Sequence, residues 1–418
     1  RLFGQQRAFQ HVIAHIDRHM LSGFAPQITA DLALNNKQFG FLTGAVWVLS
    51  FGFMAIFMGS LADRFSRTRV MAFGVLVWSL CTAASGHAQN FEQMVLARFF
   101  VATGEAALVP AAVSLLAEVF SPQRRSTAVG VFFIGIPLGI GLAFVIAGTL
   151  GIQHGWRGTF NILGLAGAAF TVPLLLLRDE RHGSDSHERG APFRQQVRSV
   201  FAAVHGSAPL RQTMVGFVLI HFAFASLAFV QLWLVRERGL DGGTIAKQMG
   251  VLQILFGTLG AVLGGVASDR FARHFKGGHA SVLALMVLVM APLMLAYRFA
   301  PAGSALFYIG MCAGFVLPLA TYGPANALIQ ALTPAHMRST VTGATMMLIN
   351  VFAVAIGNLA VGAVSDRLTA TGSAVGLTVA LVATDVLVAC SLWFFWRASR
   401  SGDAHLADAV DKNAVPVH

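Results

Sequence analysis

Asp17, Arg18, Arg98, Glu105 and Asp385 stand inside long runs of apolar residues. A charge at the centre of a bilayer costs at least about 2.5–3.5 kcal/mol on insertion scales, so such residues are usually paired or functional. Arg98 and Glu105 share a helix face but lie roughly 10 Å apart along its axis. A routine pair within one helix is spaced by three or four residues. Their partners must therefore come from another element, and Asp17 and Arg18 lie at matching depth in the first run. Burial favours the neutral form of a carboxylate, and a neighbouring guanidinium favours the ionised form. A cluster of this kind can take up or release a proton as substrate reaches or leaves its cation. Asp17, Arg98 and Glu105 are the candidates for proton coupling. Arg18, Arg98 and Glu105 are candidates for holding an anionic substrate. The plain alternative is a static ion pair bracing two helices. Asp385 belongs to no motif, and its expected place is a pore edge or a lateral interface.

Other side chains carry weaker signals. His11, His15 and His19 recur at every fourth residue, a spacing that can bind zinc. No carboxylate or thiol joins them within the helix, so no metal is expected and the stripe should face a wet vestibule. His221, Gln231, Gln253, Tyr322, Asn326 and Asn350 are isolated polar or aromatic residues in apolar runs of the second half. They fit substrate contacts and interhelical hydrogen bonds equally well. The motifs Gly-x-Ser-x-Gly, His-Glu-x-x-His and Gly-x-x-x-x-Gly-Lys-Ser/Thr are absent. An enzyme and an ATP-driven pump are therefore not expected, nor is any cofactor beyond a coupling proton.

The elements that position these residues follow from composition. Of 418 residues, 56% are hydrophobic and 11% charged, against about 25% charged in a soluble domain. The apolar runs have the length of membrane-spanning helices, not of β-barrel strands. Eleven lie at about 38–60, 70–88, 92–117, 127–150, 158–177, 211–235, 246–268, 280–299, 303–331, 340–364 and 374–396. A twelfth, 8–29, has an unusually polar first half but completes the topology. With both termini cytoplasmic, 20 of the 29 Lys and Arg residues fall inside, 7 outside and 2 within the membrane. That bias fixes the orientation, and it explains the net charge of +11 without nucleic acid. The three cysteines lie in apolar runs and make no disulfide framework. The chain begins at Arg1 without Met, which reads as a trimmed start.

The organisation predicted is all-α and polytopic, with twelve transmembrane helices in two pseudo-symmetric six-helix bundles. The bundles cover 1–177 and 211–397, with a cytoplasmic loop at 178–210 and a disordered cytoplasmic tail at 398–418. Within the loop, Phe193, Val197, Val200, Phe201 and Val204 fit one face of an interfacial helix as well as a plain linker. The halves repeat. Gly59-Ser60-Leu61-Ala62-Asp63-Arg64-Phe65-Ser66-Arg67 returns as Gly265-Val266-Ala267-Ser268-Asp269-Arg270-Phe271-Ala272-Arg273. Arg125-Ser126-Thr127 returns as Arg338-Ser339-Thr340, so the offsets are 206 and 213 residues. A duplicated unit of this kind places its substrate site near the bilayer midplane.

The Gly-x-x-x-Asp-Arg-x-x-Arg loop and its copy resemble the signature of the major facilitator superfamily, over essentially the whole chain. A finer resemblance is to the Spinster family of lipid transporters. It rests on Ile16-Asp17-Arg18-His19-Met20-Leu21-Ser22-Gly23-Phe24-Ala25-Pro26, Asp31-Leu32, Gln38-Phe39-Gly40, Ala97-Arg98, Gly104-Glu105-Ala106, Gly135-Ile136-Pro137-Leu138-Gly139 and Gly155-Trp156-Arg157. The chain departs from it in the polar stretch Gly4–Gln10. The resemblance implies coupling roles for Asp17, Arg98 and Glu105. It implies gating by Gly59, Asp63, Arg64 and Arg67, with Glu118 as a partner, and by Asp269, Arg270 and Arg273. Topology alone also keeps basic loops inside. Gly362, Asp366 and Arg367 repeat the lettering on the outer side and suggest a counterpart gate. Gly135, Pro137 and Gly139 resemble the hinge pattern of exporters and antiporters.

The expected function is proton-coupled secondary transport by alternating access, of an amphipathic anionic lipid such as a sphingoid phosphate or lysophospholipid. An organic anion/proton symporter or a multidrug/proton antiporter is the alternative; outside transport, a membrane receptor or scaffold is. The expected partners are a small-molecule or lipid substrate and the bilayer, with no nucleic acid and a monomeric state. The expected location is a bacterial inner membrane, with both termini cytoplasmic.

Overall fold

A backbone in hydrocarbon must satisfy its own hydrogen bonds, so a long apolar run with no aqueous partner becomes a helix. The computed structural model describes residues 2–64, 67–106, 134–175, 193–334 and 337–413, and every element among them is helical. Side chains are not described for 2–10, 55–56, 58–64, 67–68, 71, 172–175, 193–197, 199, 339 and 402–413. The first half contains α1 (Leu2–Gly23), α2 (Ala25–Asp31), α3 (Asn36–Gly40), α4 (Val46–Arg64), α5 (Arg67–Ser85), α6 (Phe91–Ala106), α7 (Gly135–Ala147) and α8 (Leu150–Leu175). Then come α9 (Phe193–Gly206), α10 (Ala208–Ile220), α11 (Phe222–Arg236), α12 (Gly242–Leu252), α13 (Thr258–Phe271) and α14 (Gly278–Ala296). The chain continues through α15 (Ala305–Ala320), α16 (Tyr322–Ala331), α17 (Arg338–Leu348), α18 (Gly357–Ala370) and α19 (Gly376–Asn413).

Among the described residues, six helical stretches are long and apolar enough to cross a membrane: Ala208–Arg236, Gly242–His274, Gly278–Ala296, Ala305–Ala331, Thr340–Ala370 and Gly376–Ser401. In the first half, α7 and α8 pass that test only as a pair bent by 109°. Other runs are interrupted. The first breaks at Phe24, and α2 restarts there with a proline in its first turn, where a missing N–H is harmless. Wider π turns at Phe41–Ala45, Gln253–Gly257 and Ile349–Ile356 interrupt three more. Leu49, Phe53, Leu96, Leu165, Leu263 and Val266 are exposed. So much apolar surface is stable against lipid, not water, and the chain is an integral multi-pass membrane protein.

Two stretches depart from expectation. The polar start of the first run is already helical from Leu2. The tail beyond Arg397 continues α19 to Asn413. Ala404, Leu406, Ala407 and Ala409 are good helix formers, and extending an existing helix needs no new nucleus. The 178–210 segment contains α9, whose Val200, Ala203 and Val204 pack on apolar core while Phe201 stays exposed.

Contacts divide the chain into two units. Unit 1 comprises Arg1–Ser184, Ala225–Leu255 and Val354–Leu381; unit 2 comprises Asp185–Phe224, Phe256–Ala353 and Val382–His418. The core of unit 1 gathers Met20, Leu21, Phe24, Ile28, Trp156 and Phe160. That of unit 2 gathers Phe217, Leu283, Val287, Leu317, Val388 and Phe395.

Candidate functional site

Small residues set the depth of the charged ones in unit 1. A Cβ at Gly104 would fall 2.7 Å from Trp78 Cβ. Only glycine lets α6 settle on α5 there, and it seats Glu105 one residue later. On α1, Asp17 and Arg18 follow each other and so point to different neighbours. Asp17 turns toward α5 and α6. Arg98 Nη1 donates to Asp17 Oδ2 at 3.1 Å and Nη2 donates to the Asp17 backbone O at 3.1 Å. Thr82 Oγ1 donates to Asp17 Oδ1 at 2.8 Å. Both side chains of the ion pair are 5% exposed.

Arg18 turns toward α4. Its guanidinium carbon lies 3.5 Å from the centre of the Trp47 ring, a cation–π contact. The Trp47 Nε1–H donates to Glu105 Oε2 at 2.7 Å. Glu105 Oε1 is buried with no hydrogen-bond partner among the described residues. One indole thus carries a cation on its face and a carboxylate on its edge. Trp47 also stacks on Phe51, with ring centres 4.6 Å apart.

The structure therefore brings Asp17 and Arg98 together and sets Arg18 and Glu105 about a shared tryptophan. Trp47 and Thr82 carried no sequence signal: both types are ordinary in apolar helices, and the contacts join distant segments.

Within the histidine stripe His15 and His19 are partly exposed, while His11 is buried, at 4% exposed. Gly135 and Gly139 let α7 close on it; a Cβ at Gly135 would fall 2.8 Å from His11 Nδ1, and one at Gly139 2.7 Å from Val12 O. Ring centres are 4.6 Å apart for His11 and His15 and 5.8 Å for His15 and His19. Among the described residues no group of three His, Cys, Asp or Glu side chains is disposed to hold a metal ion. Pro137 lies between these two glycines, in the first turn of α7.

In unit 2, His221 Nδ1 lies 2.7 Å from Phe217 O, and its ring centre is 5.8 Å from that of Tyr322. Tyr322 OH donates to Met346 Sδ at 3.2 Å, and Asn326 Nδ2 donates to Tyr322 O at 2.8 Å. His221 Nε2 and Asn326 Oδ1 are buried without a hydrogen-bond partner among the described residues. Asn350 sits in the Ile349–Ile356 π turn. Gln231 and Gln253 belong to unit 1, where Gln231 Nε2 donates to Gly242 O at 3.3 Å.

Asp385 is fully buried in an ion pair, not open at an edge: Arg298 Nε donates to Asp385 Oδ2 at 2.7 Å and Nη2 to Oδ1 at 3.3 Å. The Arg298 side chain is 2% exposed and that of Asp385 0%. Arg298 escaped notice because it closes an apolar run and so reads as a loop charge.

Among the gate residues, Glu118 lies outside the described residues, as do the side chains of Asp63, Arg64 and Arg67; Gly59 is helical in α4. Asp269, Arg270 and Arg273 are exposed at the end of α13 and in the turn after it. Among the described residues none of the three forms an ion pair. A denser polar lattice occupies another part of unit 1. Asp366 Oδ1 and Oδ2 accept from the backbone N–H groups of Asn36 and Lys37 at 2.9 and 2.8 Å, capping α3. Asn36 Nδ2 donates to Ser365 Oγ at 3.0 Å. Arg236 donates to Asn36 Oδ1 at 3.0 Å and to Thr29 Oγ1 at 2.7 Å. Nearby, Asp31 Oδ2 accepts from Trp156 Nε1 at 3.0 Å and from Arg157 Nε at 3.1 Å. Gly155 makes that corner possible, with φ at 63° inside α8, a region suited to glycine.

The chain matches the family model of the Major Facilitator Superfamily over residues 8–358. An "MFS-type efflux pump" of Mycolicibacterium smegmatis is 28% identical over 366 residues, 85% of this chain and 82% of that protein. "Protein spinster" of Drosophila melanogaster is 27% identical over 68% of this chain and 48% of its own length. A crystal structure of a bacterial homologue to the human lysosomal transporter Spinster, inward-facing and unoccupied, superposes with a TM-score of 0.81. It is 21% identical and is covered over 96% of its chain by 95% of this one.

Proposed function

The chain belongs to the Major Facilitator Superfamily, and on that premise we propose proton-coupled secondary transport of an amphipathic anion by alternating access. It is a Spinster-like multi-pass transporter and not an enzyme. The observation that carries the finer reading is the unequal hold on two buried carboxylates. Asp17 is filled on both oxygens by Arg98 and Thr82. Glu105 is held on one oxygen by Trp47, and its other oxygen has room in its bonding for a proton. Glu105 is the group that exchanges the proton. Asp17 holds Arg98 and keeps α1 and α6 in register.

Arg18 is the link to the cargo. A proton on Glu105 removes a negative charge from the neighbourhood of Arg18, and an anion arriving at Arg18 balances the positive one left behind. The proton opens the imbalance that the anion closes, so each favours the other and their linkage is reciprocal. The aromatic pair Trp47 and Phe51 beside Arg18 suits a cargo with an anionic head and an apolar body. A sphingoid phosphate or a lysophospholipid has that chemistry; in unit 2, taken by itself, His221, Tyr322, Asn326 and Asn350 are the candidate substrate contacts. The motif residues Asp63, Arg64, Arg67, Asp269, Arg270 and Arg273 serve as gates, and Gly135, Pro137 and Gly139 as the hinge. The protein works as a monomer in a bacterial inner membrane with both termini in the cytoplasm.

Flux into proteoliposomes under an imposed proton gradient tests this. A lysolipid or sphingoid phosphate should move with the gradient, faster than a small carboxylate, and Glu105→Gln should uncouple it. Undiminished gradient-driven flux in Glu105→Gln would sink the assignment of Glu105. Faster movement of the small carboxylate would favour an organic-anion symporter. Movement of an apolar cationic drug against protons would favour an antiporter, a reading to which the 28% identical efflux pump lends weight.

A further inference from the structure

The last apolar span, Gly376–Ser401, ends in residues that the transport reading does not use. Trp393, Trp396, Arg397 and Arg400 fall within about 100° of one another around α19, at the 3.6-residue period of a helix. Trp393 is 49% exposed and Trp396 44%, so this face is uncovered. Each indole carries a guanidinium: Arg397 lies 4.7 Å from the centre of the Trp393 ring, and Arg400 4.0 Å from that of Trp396. With Ser401 the four line a cleft of about 440 Å³. Ser401 Oγ already donates to Arg397 O at 3.0 Å, which leaves the guanidiniums as the donors that face outward.

Position along the span matters. Trp393 and Arg400 lie roughly 26 and 36 Å from Gly376 at 1.5 Å per residue, to either side of a hydrocarbon thickness of about 30 Å. The cleft therefore opens at the level of lipid headgroups. Its charge is reinforced from a second element. A Cβ at Gly277 would fall 2.5 Å from Ser281 Oγ and 2.8 Å from the Ser399 Cα, so the loop after α13 touches this end of α19. The end of α13 and that loop expose Arg270, Arg273 and Lys276 against the single acid Asp269.

We propose that this end of α19 binds the headgroup of an anionic phospholipid from the surrounding leaflet. The planar guanidiniums, held flat by the indoles, present edge N–H groups to the phosphate. The indoles receive the glycerol backbone and the first acyl carbons, the usual station of tryptophan in a membrane. A zwitterionic lipid offers the same phosphate with a cation attached, so the basic loop and the two arginines select against it.

Tryptophan fluorescence reads the site directly. The protein is reconstituted in phosphatidylcholine vesicles doped with brominated phosphatidylglycerol or brominated phosphatidylcholine, and the W393F/W396F protein supplies the background. The phosphatidylglycerol probe should quench Trp393 and Trp396 in preference, and added salt should weaken that preference. In R397Q/R400Q the preference should fall on the order of 30-fold, as expected for two cations removed from an anionic surface. R397K/R400K, which keeps the charge but loses the planar stacked fork, should fall between the unaltered protein and R397Q/R400Q, and this separates loss of charge from loss of fold. Equal quenching by the two probes in the unaltered protein overturns the proposal, as does an undiminished preference in R397Q/R400Q. Competition by soluble glycerol phosphate overturns the lipid as the source and assigns the cleft to a free phosphate ester.

Discussion

Asp17 and Glu105 are both carboxylates buried in apolar helices, yet substitution should separate them. Removing one member of a buried ion pair leaves the other uncompensated, at a cost of about 3–5 kcal/mol. Asp17→Asn should therefore lower the thermal stability of the purified protein, and a second change, Arg98→Gln, should restore most of it. Glu105→Gln keeps the oxygen that accepts from Trp47; its melting temperature should stay close to that of the unaltered protein while coupling is lost. Trp47→Phe deletes the donor to Glu105 and weakens the seat of Arg18, a loss of about 1–3 kcal/mol for a buried charged acceptor left unmade. It should slow uptake more than it lowers stability, which initial rates and thermal melts on one preparation would decide. The sequence exposes Asp17, Arg98 and Glu105 because a charge stands out against an apolar run. It hides Trp47, Thr82 and Arg298: two are unremarkable in such a run, and the third stands at its edge. Their importance lies in contacts such as Trp47 with Glu105, 58 residues apart, which no local pattern encodes.

At the scale of elements, close approach depends on residues with no side chain. A Cβ at Gly139 would meet Val12 O and one at Gly141 would meet Gly250 O, each at 2.7 Å. The two glycines place opposite sides of α7 against α1 and α12. Gly139→Val and Gly141→Val should each cost about 1–3 kcal/mol through overpacking, whereas Gly52→Ala has open space around it and should be neutral or stabilising by up to about 1 kcal/mol. Melting temperatures of the three variants check this. Helix existence was legible because a bilayer demands one long apolar run per crossing. Helix interruptions were not. The π turns and the 109° bend between α7 and α8 arise from how neighbours pack, and Gly148 and Thr149 at the bend look like many other positions in the chain.

At the scale of the whole molecule, the polar lattice of Asn36, Ser365, Asp366 and Arg236 ties residues of the first half to residues of the second within unit 1. If transport requires that lattice to part, a bond across it must stop the cycle. A protein carrying Asn36→Cys and Ser365→Cys, with Cys81, Cys312 and Cys390 replaced, should lose flux on oxidation and regain it with reductant. Flux that persists in the cross-linked protein would show that this lattice stays closed throughout. The repeated motifs announced two related halves, but the lattice joins side chains that no motif contains. The buried pair of Arg298 and Asp385 has a consequence for how the protein is made. The arginine leaves the ribosome 87 residues before its partner. Until the last helix enters the membrane, the helix that ends beside Arg298 lacks the carboxylate that pairs with it, and a nascent chain stopped before Asp385 lacks it altogether. Release of the finished protein from the insertion machinery, and its escape from membrane proteases, should therefore wait on the final span.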